Sequence, residues 1–184
     1  MTELTDGRRA RGAARRRQLV EATLDVIEQG GIAALSHRAV AEQAGVSLAS
    51  VSYHFAGLDD LISTALAHAT DELVAALDAD GDHSLARLAR LLANEVEHHR
   101  GRWIAEYELC LLALRRPHLR SQALAWHDVI ADTFAPTLEG RARRAFQATV
   151  EGVCLHMLFS DEAPDAGDIE TMLALAWPAS GPGR

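Results

Sequence analysis

The stretch SHRAVAEQAGVSLASVSYHF, residues 36–55, constrains the fold of this chain more than any other. Ser36 and Ser47 are residues that cap the N-termini of helices, and Gly45 between them accepts the positive φ with which helices often end. The stretch therefore predicts two short helices joined by a tight turn. This arrangement is typical of a helix-turn-helix, whose second helix enters the major groove of DNA.

The helical period of the second short helix separates its apolar side chains from its outward ones. Val46, Val51 and Phe55 are expected to hold the helix against its neighbours. The outward residues are Ala49, Ser50, Ser52 and Tyr53. Small residues let a helix approach base edges, and hydroxyl groups hydrogen-bond to phosphate oxygens. An ordinary corner between two helices of an all-α protein has the same spacing, so the spacing alone leaves both interpretations open.

The rest of the 184-residue chain shows no convincing alternation of apolar and polar residues, so it predicts an all-α fold. About nine helices are expected. Besides the two short ones, they span about 13–29, 58–78, 84–100, 102–115, 117–135, 140–160 and 168–177.

Charge is divided unevenly along the chain. The formal net charge is −8, but the first 20 residues hold six arginines against two acidic residues. Positions 61–184 hold 11 arginines and 18 acidic residues, which argues against a second DNA-binding surface there. The N-terminal arginines are either merely solvated or form an arm that reaches phosphates and a minor groove.

Several classes of protein are disfavoured by the motifs and composition. The apolar runs fall short of the ~20 residues of a membrane-spanning helix, and the charged N-terminus is unlike a secretory signal, so we expect a cytoplasmic protein. Cys110 and Cys154 lack a CxxC motif and are expected to be buried, reduced thiols. The nine histidines lack zinc-site spacing and no catalytic motif is recognisable, so we expect no metal, no cofactor and no enzyme.

The run ALSHRAVAEQAGVSLASVSYHFAGLDDLI resembles the N-terminal DNA-binding domain of the tetracycline-repressor (TetR) family. Shared features are the Ser cap followed by Arg, the Ala-Gly-Val-Ser turn, and the Tyr-His-Phe end before acidic residues and a leucine. Residues 13–66 match the family with the expected helix lengths. The resemblance implies an all-helical, homodimeric bacterial transcription factor that binds a double-stranded DNA operator and responds to a small molecule.

Carried over to this sequence, the resemblance implies ten DNA-contacting positions. These are Ser36, His37, Arg38, Ser47, Leu48, Ala49, Ser50, Ser52, Tyr53 and His54. Ser52 stands where the family often has Tyr, and Leu58 where it usually has Lys, which are two departures at phosphate-contacting positions. Leu48 either meets a thymine methyl or packs partly inward.

The resemblance also implies how the chain is divided. We expect a flexible basic arm (1–12), the DNA-binding domain (13–57), a helical domain for effector binding and dimerisation (58–178) and a mobile tail (179–184). The expected effector-binding residues are Trp103, Tyr107, Cys110, Trp126, Ile130 and Phe134. Such stripes are also typical of an ordinary core. Arg115, Arg116 or Arg120 would receive an effector carboxylate if they turned inward.

The family places its two-fold interface on the last two long helices. The residues expected there are Phe146, Val150, Gly152, Val153, Met157, Leu173 and Trp177, with the chain's own core as the alternative location. Together these features predict a repressor that is released from a palindromic operator by a small, largely hydrophobic effector. The alternatives are a DNA-binding regulator controlled by a protein partner and a small all-α enzyme with a vestigial helix-turn-helix.

Overall fold

The computed structural model describes residues 2–79, 81–163 and 165–177 of the chain. Within these ranges the chain forms eight α-helices and no β-strand, which confirms the all-α prediction. The helices are α1 (Thr2–Gly30), α2 (His37–Gln43), α3 (Leu48–His54), α4 (Leu58–Asp78), α5 (Leu85–Leu114), α6 (Arg120–Phe134), α7 (Gly140–Phe159) and α8 (Ala166–Leu175). Short 3-10 helices, Ile32–Ala34 and Pro117–Leu119, precede α2 and α6.

The two short helices form where the sequence predicts them. The hydroxyl oxygen of Ser36 accepts a hydrogen bond from the N–H of Ala39 (3.1 Å), and that of Ser47 accepts one from the N–H of Ser50 (3.2 Å). Gly45 has a φ of 64°, which an L-residue with a side chain rarely adopts. Both predicted N-caps and the glycine turn are therefore confirmed.

The kinked helix α5 corresponds to two predicted helices. α5 runs from Leu85 to Leu114, and the sequence predicted helices over 84–100 and 102–115. The backbone leaves helical geometry at His99, with φ −129° and ψ 27°, close to the predicted boundary. Gly101 weakens a helix by about 1 kcal/mol but keeps its backbone N–H, so the hydrogen-bond ladder continues beyond the kink.

The N-terminal segment also differs from the prediction. α1 begins at Thr2, so the segment expected to be a flexible arm, residues 1–12, is helical from Thr2 onward. The segment contains no proline, and its arginine, alanine, leucine and glutamate residues favour helix. The predicted mobile tail, residues 179–184, lies outside the described part of the chain.

The first of two compact units consists of Met1–Ala69 and Ile104–Ala123. In it α1 packs against α2, and α2 packs against α3. Leu19, Ala22 and Val26 of α1 are buried. The largest fully buried side chains of this unit are Leu19, Leu24, Ile27, Phe55, Leu61, Ile62, Leu66 and Leu109.

The second compact unit consists of Thr70–Trp103 and Leu124–Arg184. α7 packs against α8 in this unit, and the rings of Phe146 and Trp177 meet edge to face with their centroids 5.7 Å apart. Its largest fully buried side chains are Phe146, Leu77, Leu88 and Leu92. The domain boundary that the sequence predicts at residue 58 stays a prediction.

Candidate nucleic-acid interface

α3 buries one side and presents the other to solvent. Val51 and Phe55 are buried, as the helical period predicts. Tyr53 is 85% exposed and Leu48 is 51% exposed. Ser47, Ala49 and Ser52 are exposed as well, while Ser50 and His54 are half-buried. Leu48 is therefore not fully buried, and both of its alternatives, contact with a thymine methyl and partial packing inward, stay open.

The start of α2 adds a second set of polar groups. Ser36 is exposed, although its hydroxyl oxygen already caps α2. The side chain of His37 is half-buried, and its Nε2 atom lies buried without a hydrogen-bond partner among the described residues. Arg38 is exposed. Of these three predicted DNA contacts, Arg38 is the one whose charge is best placed to reach a phosphate.

Arg16 is half-buried, whereas the sequence grouped it with the N-terminal arginines that are either solvated or reach phosphates. Its guanidinium donates hydrogen bonds to the backbone oxygen of His54 (2.9 Å) and to the hydroxyl of Thr64 (2.7 Å). The guanidinium carbon lies 4.5 Å from the centre of the Phe55 ring, and one nitrogen lies 3.5 Å from the Asp60 carboxylate. Arg16 therefore holds the C-terminal end of α3, and its guanidinium is engaged by the protein and not available to bind DNA.

The residues predicted to bind an effector are mostly buried. The exposed fractions are 5% for Trp103, 7% for Cys110, 6% for Trp126, 9% for Ile130 and 4% for Phe134, and Tyr107 is half-buried. An internal pocket and an ordinary core both require such burial, so their role in effector binding stays a prediction. Cys110 and Cys154 are buried, as predicted, and no disulfide joins them in the described part of the chain.

The three arginines near the end of α5 do not turn inward. Arg116 forms an ion pair with Asp59 at the start of α4. Arg115 and Arg120 are exposed. The structure therefore gives no support to a carboxylate receptor built from these residues.

Most residues predicted at the dimer interface face the chain's own core. The buried ones are Phe146, Val150, Val153, Met157 and Leu173, each at most 6% exposed, while Trp177 is half-buried. This burial fits the chain's own core, the alternative that the sequence left open, although Val153 also lines an open groove, so the dimer role of these residues stays a prediction. Gly152 differs from them because it is exposed, and a Cβ atom there would meet nothing within 4 Å.

An open apolar groove of about 690 Å³ lies along α7 and α8. Its lining residues are Ala145, Thr149, Gly152, Val153, His156, Met172, Leu175 and Ala176. Leu175 is 82% exposed, and Phe159 at the end of α7 is 84% exposed. Exposed apolar side chains around such a groove are typical of protein–protein surfaces. We call this groove the α7–α8 surface.

Family models match the chain over two segments. A model for bacterial regulatory proteins of the tetR family matches residues 19–65, which contain all of α2 and α3. A model for the tetracyclin repressor-like C-terminal domain matches residues 79–179, more than half of the chain. The chain belongs to the TetR family. It is therefore a DNA-binding transcription regulator.

This TetR-family protein is similar to the HTH-type nicotine-responsive transcriptional repressor HdnoR of Paenarthrobacter nicotinovorans. The two are 29% identical over 110 residues, which cover 56% of this chain and 57% of that repressor. The chain thus spans little more than half of that relative's length.

Two solved structures are similar over nearly the whole chain. A member of the TetR family from Streptomyces coelicolor is 36% identical with a TM-score of 0.80, and the match covers 90% of this chain and 99% of that one. The multidrug binding protein EbrR complexed with ethidium is 36% identical with a TM-score of 0.78, with the same coverage. EbrR has also been solved with malachite green and with proflavin.

Two structural features of this TetR-family protein carried no signal in its sequence. The first is the engagement of Arg16 beneath α3. The second is Glu108 of α5, whose carboxylate accepts a hydrogen bond from the N–H of Ile32 (2.5 Å), just after Gly31 with its φ of 71°. Both contacts join residues far apart in the chain, and helical periodicity holds no information about such pairs.

Among the described residues, none of the helices has the length and hydrophobicity that a membrane span requires.

Proposed function

We propose that this protein is a homodimeric repressor that binds a palindromic operator and leaves it when a small, largely apolar aromatic effector binds. The observation that carries the proposal is the side of α3 that faces solvent. On a helix capped at Ser47 and anchored by Val51 and Phe55, Tyr53 and Leu48 remain exposed in a chain of the TetR family.

The ten predicted DNA contacts divide by chemistry. Leu48, Ala49 and Ser50 lie near the N-terminal end of α3, from which a recognition helix contacts base edges. Arg38 and Tyr53, with their exposed cationic and phenolic groups, are assigned to phosphates, which position the protein without reading sequence. The remaining contacts, Ser36, His37, Ser47, Ser52 and His54, complete the surface.

The proposed effector is aromatic and carries either no charge or a positive one. The predicted binding residues are mainly aromatic, and EbrR, a relative of this chain, binds ethidium, malachite green and proflavin. Positions 61–184 carry more acidic residues than arginines, and Arg116 is already paired with Asp59. Both facts favour an aromatic cation over a carboxylate.

The proposed control acts through α4. This helix begins at Leu58, shortly after α3 ends at His54, so a shift of α4 displaces the recognition helix. An effector that favours the shifted form lowers the population that fits both half-sites. A ~100-fold loss of operator affinity needs only about 2.7 kcal/mol of differential effector binding between the two forms.

The α7–α8 surface is the proposed homodimer interface. Two recognition helices must lie about 34–36 Å apart, or at a similar multiple-turn spacing, to read a palindrome, and each chain supplies one helix-turn-helix. Within α7, Gly152 costs about 0.5–1 kcal/mol relative to alanine, and no close contact with the described residues of its own chain requires a glycine there. Close approach of a second copy supplies a reason for glycine there.

The cell compartment in which the protein acts follows from its binding to DNA. A regulator of bacterial genes works where the DNA is, so we assign the protein to the cytoplasm, and we assign it no catalytic activity and no cofactor.

The chain's two tyrosines test the DNA and effector assignments as a matched pair. Tyr53→Ala is expected to weaken operator binding and leave ethidium binding to the DNA-free protein unchanged. Tyr107→Ala is expected to do the reverse, with ethidium affinity falling about tenfold. Ethidium binding is measured by fluorescence without DNA, because ethidium itself binds DNA. The effector assignment is wrong if the parent binds no ethidium or if both variants bind it as the parent does.

A further inference from the structure

Two adjacent carboxylates at the start of α4 contact different parts of the first compact unit. Asp60 accepts a hydrogen bond from the N–H of Ala56 (3.0 Å) and lies 3.5 Å from Arg16. Arg16 in turn donates to the backbone oxygen of His54. Asp60 is therefore connected through one side chain to the C-terminal end of α3.

Asp59 contacts the segment between α5 and α6. Its carboxylate pairs with the guanidinium of Arg116 and lies 2.7 Å from Nε2 of His118. Arg116 and His118 flank Pro117 at the start of a 3-10 helix, and Leu119 in that helix is 3% exposed. The fixed φ of proline and the buried leucine fix the local conformation of this segment. When the segment shifts as a unit, its two basic groups therefore shift with it.

The two carboxylates have different uses. Negative side chains in the first turn of α4 are favoured by the helix dipole, and both aspartates lie there, but Asp60 also accepts a hydrogen bond from a backbone N–H. The carboxylate of Asp59 is 45% exposed, and ion pairs at that exposure contribute little to stability. A contact that stabilises the fold weakly can break and re-form when the segment moves.

We propose that Asp59 and Asp60 link the α5–α6 segment to the recognition helix and transmit effector binding to it. Movement of the segment that holds Arg116 and His118 displaces Asp59 and the start of α4. Asp60 moves with it and shifts Arg16, which holds α3 at His54 and Phe55. The link is a property of the first compact unit, and its use in regulation rests on the proposed function.

The link is tested by hydrogen–deuterium exchange of the full-length protein without DNA or effector. In Arg116→Gln, the amides of residues 48–55 are expected to exchange at least threefold faster than in the parent, although Arg116 touches none of them. The exposed neighbour Arg115 supplies the control, and Arg115→Gln is expected to leave exchange in α3 unchanged. Circular dichroism verifies that each variant is folded.

A charge swap separates the link from a general loss of stability. Asp59→Arg combined with Arg116→Asp is expected to restore slow exchange in α3, while either change alone speeds it. Asp60→Asn is expected to speed exchange in α3 as well, and its effect is expected not to add to that of Arg116→Gln, since both break one chain of contacts. The proposal is overturned if exchange in α3 is unchanged in Arg116→Gln, or if the swap fails to restore it.

Operator binding is measured in parallel on DNA selected by the parent. If the parent selects no DNA, the proposed function fails, while the exchange data still judge the link. If the parent binds DNA but Arg116→Gln exchanges like the parent in α3, the link fails and the proposed function stands.

Discussion

Arg16 shows, at the scale of single residues, how an arginine near the N-terminus serves structure. It reaches the backbone of His54, the hydroxyl of Thr64 and the face of Phe55, three groups on or beside α3 and α4. Composition groups it with five other arginines in the first 20 residues, and only the folded structure separates it from them.

Replacing Arg16 therefore tests stability. Arg16→Ala is expected to lower the free energy of unfolding by about 1–2 kcal/mol, because it removes a cation–π contact and charged hydrogen bonds. Arg17→Ala, at an exposed neighbouring position, is the control and is expected to have little effect. Urea denaturation followed by circular dichroism measures both. Equal midpoints for the two variants would show that the Arg16 contacts do not stabilise the domain.

Arg38, in contrast to Arg16, is proposed to contact a DNA phosphate. Arg38→Ala removes one phosphate contact from each protomer, so the dependence of log K on log salt is expected to become shallower by about 1.8 per dimer. Arg16→Ala is expected to leave this slope unchanged. Fluorescence anisotropy over a series of salt concentrations gives the slopes. An unchanged slope in Arg38→Ala would remove Arg38 from the phosphate contacts.

Leu48 belongs to the class of residues that read bases. Its side chain is 51% exposed, so truncation is expected to change which base is preferred at one position of each half-site and not to weaken all sequences equally. Binding of Leu48→Ala to single-base variants of the operator measures this preference. A uniform loss across all variants would place Leu48 among the structural residues.

At the scale of helices, the sequence predicts most of the fold and a smaller part of the site. Caps at Ser36 and Ser47 are local features, so the helix-turn-helix could be predicted from neighbouring residues alone. The break near residue 100 could be predicted as well, but periodicity did not show whether two helices are joined by a kink, as they are at His99, or by a loop.

The predicted dimer residues show a further limit of helical periodicity. A stripe such as Phe146 and Val150 looks the same whether it meets the chain's own core or a second copy. Only the folded structure shows that these two side chains are buried within their own unit, and that Gly152 on another side of α7 is exposed.

A substitution at Gly152 tests whether α7 and α8 form the homodimer interface. Gly152→Glu is expected to fold normally, since a Cβ atom there would meet nothing within 4 Å among the described residues, but to place a charge in the proposed interface and produce monomers. Ala75→Glu, at an exposed position on α4, is the control and is expected to remain dimeric. Light scattering gives the molar mass of each. A Gly152→Glu dimer as stable as the parent would move the interface elsewhere.

Across the whole molecule, the uneven distribution of charged residues explains how a chain with a negative net charge can bind DNA. A chain with a net charge of −8 is repelled by DNA unless its positive groups lie on the binding side, and five arginines besides Arg16 lie in the first 20 positions. The acidic excess over residues 61–184 keeps that part of the chain from binding DNA nonspecifically. Binding is therefore expected to be specific and to weaken steeply with salt.

Selection from a random DNA library by the full-length protein tests the central claim, that the protein is a dimeric, sequence-specific DNA-binding regulator. A dimer with one recognition helix per protomer is expected to enrich an inverted repeat whose half-sites lie about one helical turn, or a similar multiple-turn spacing, apart. Tyr53→Ala, carried through the same selection, is expected to recover the repeat with much lower yield. Recovery of no common sequence by the parent, or of one without two-fold symmetry, would contradict the account.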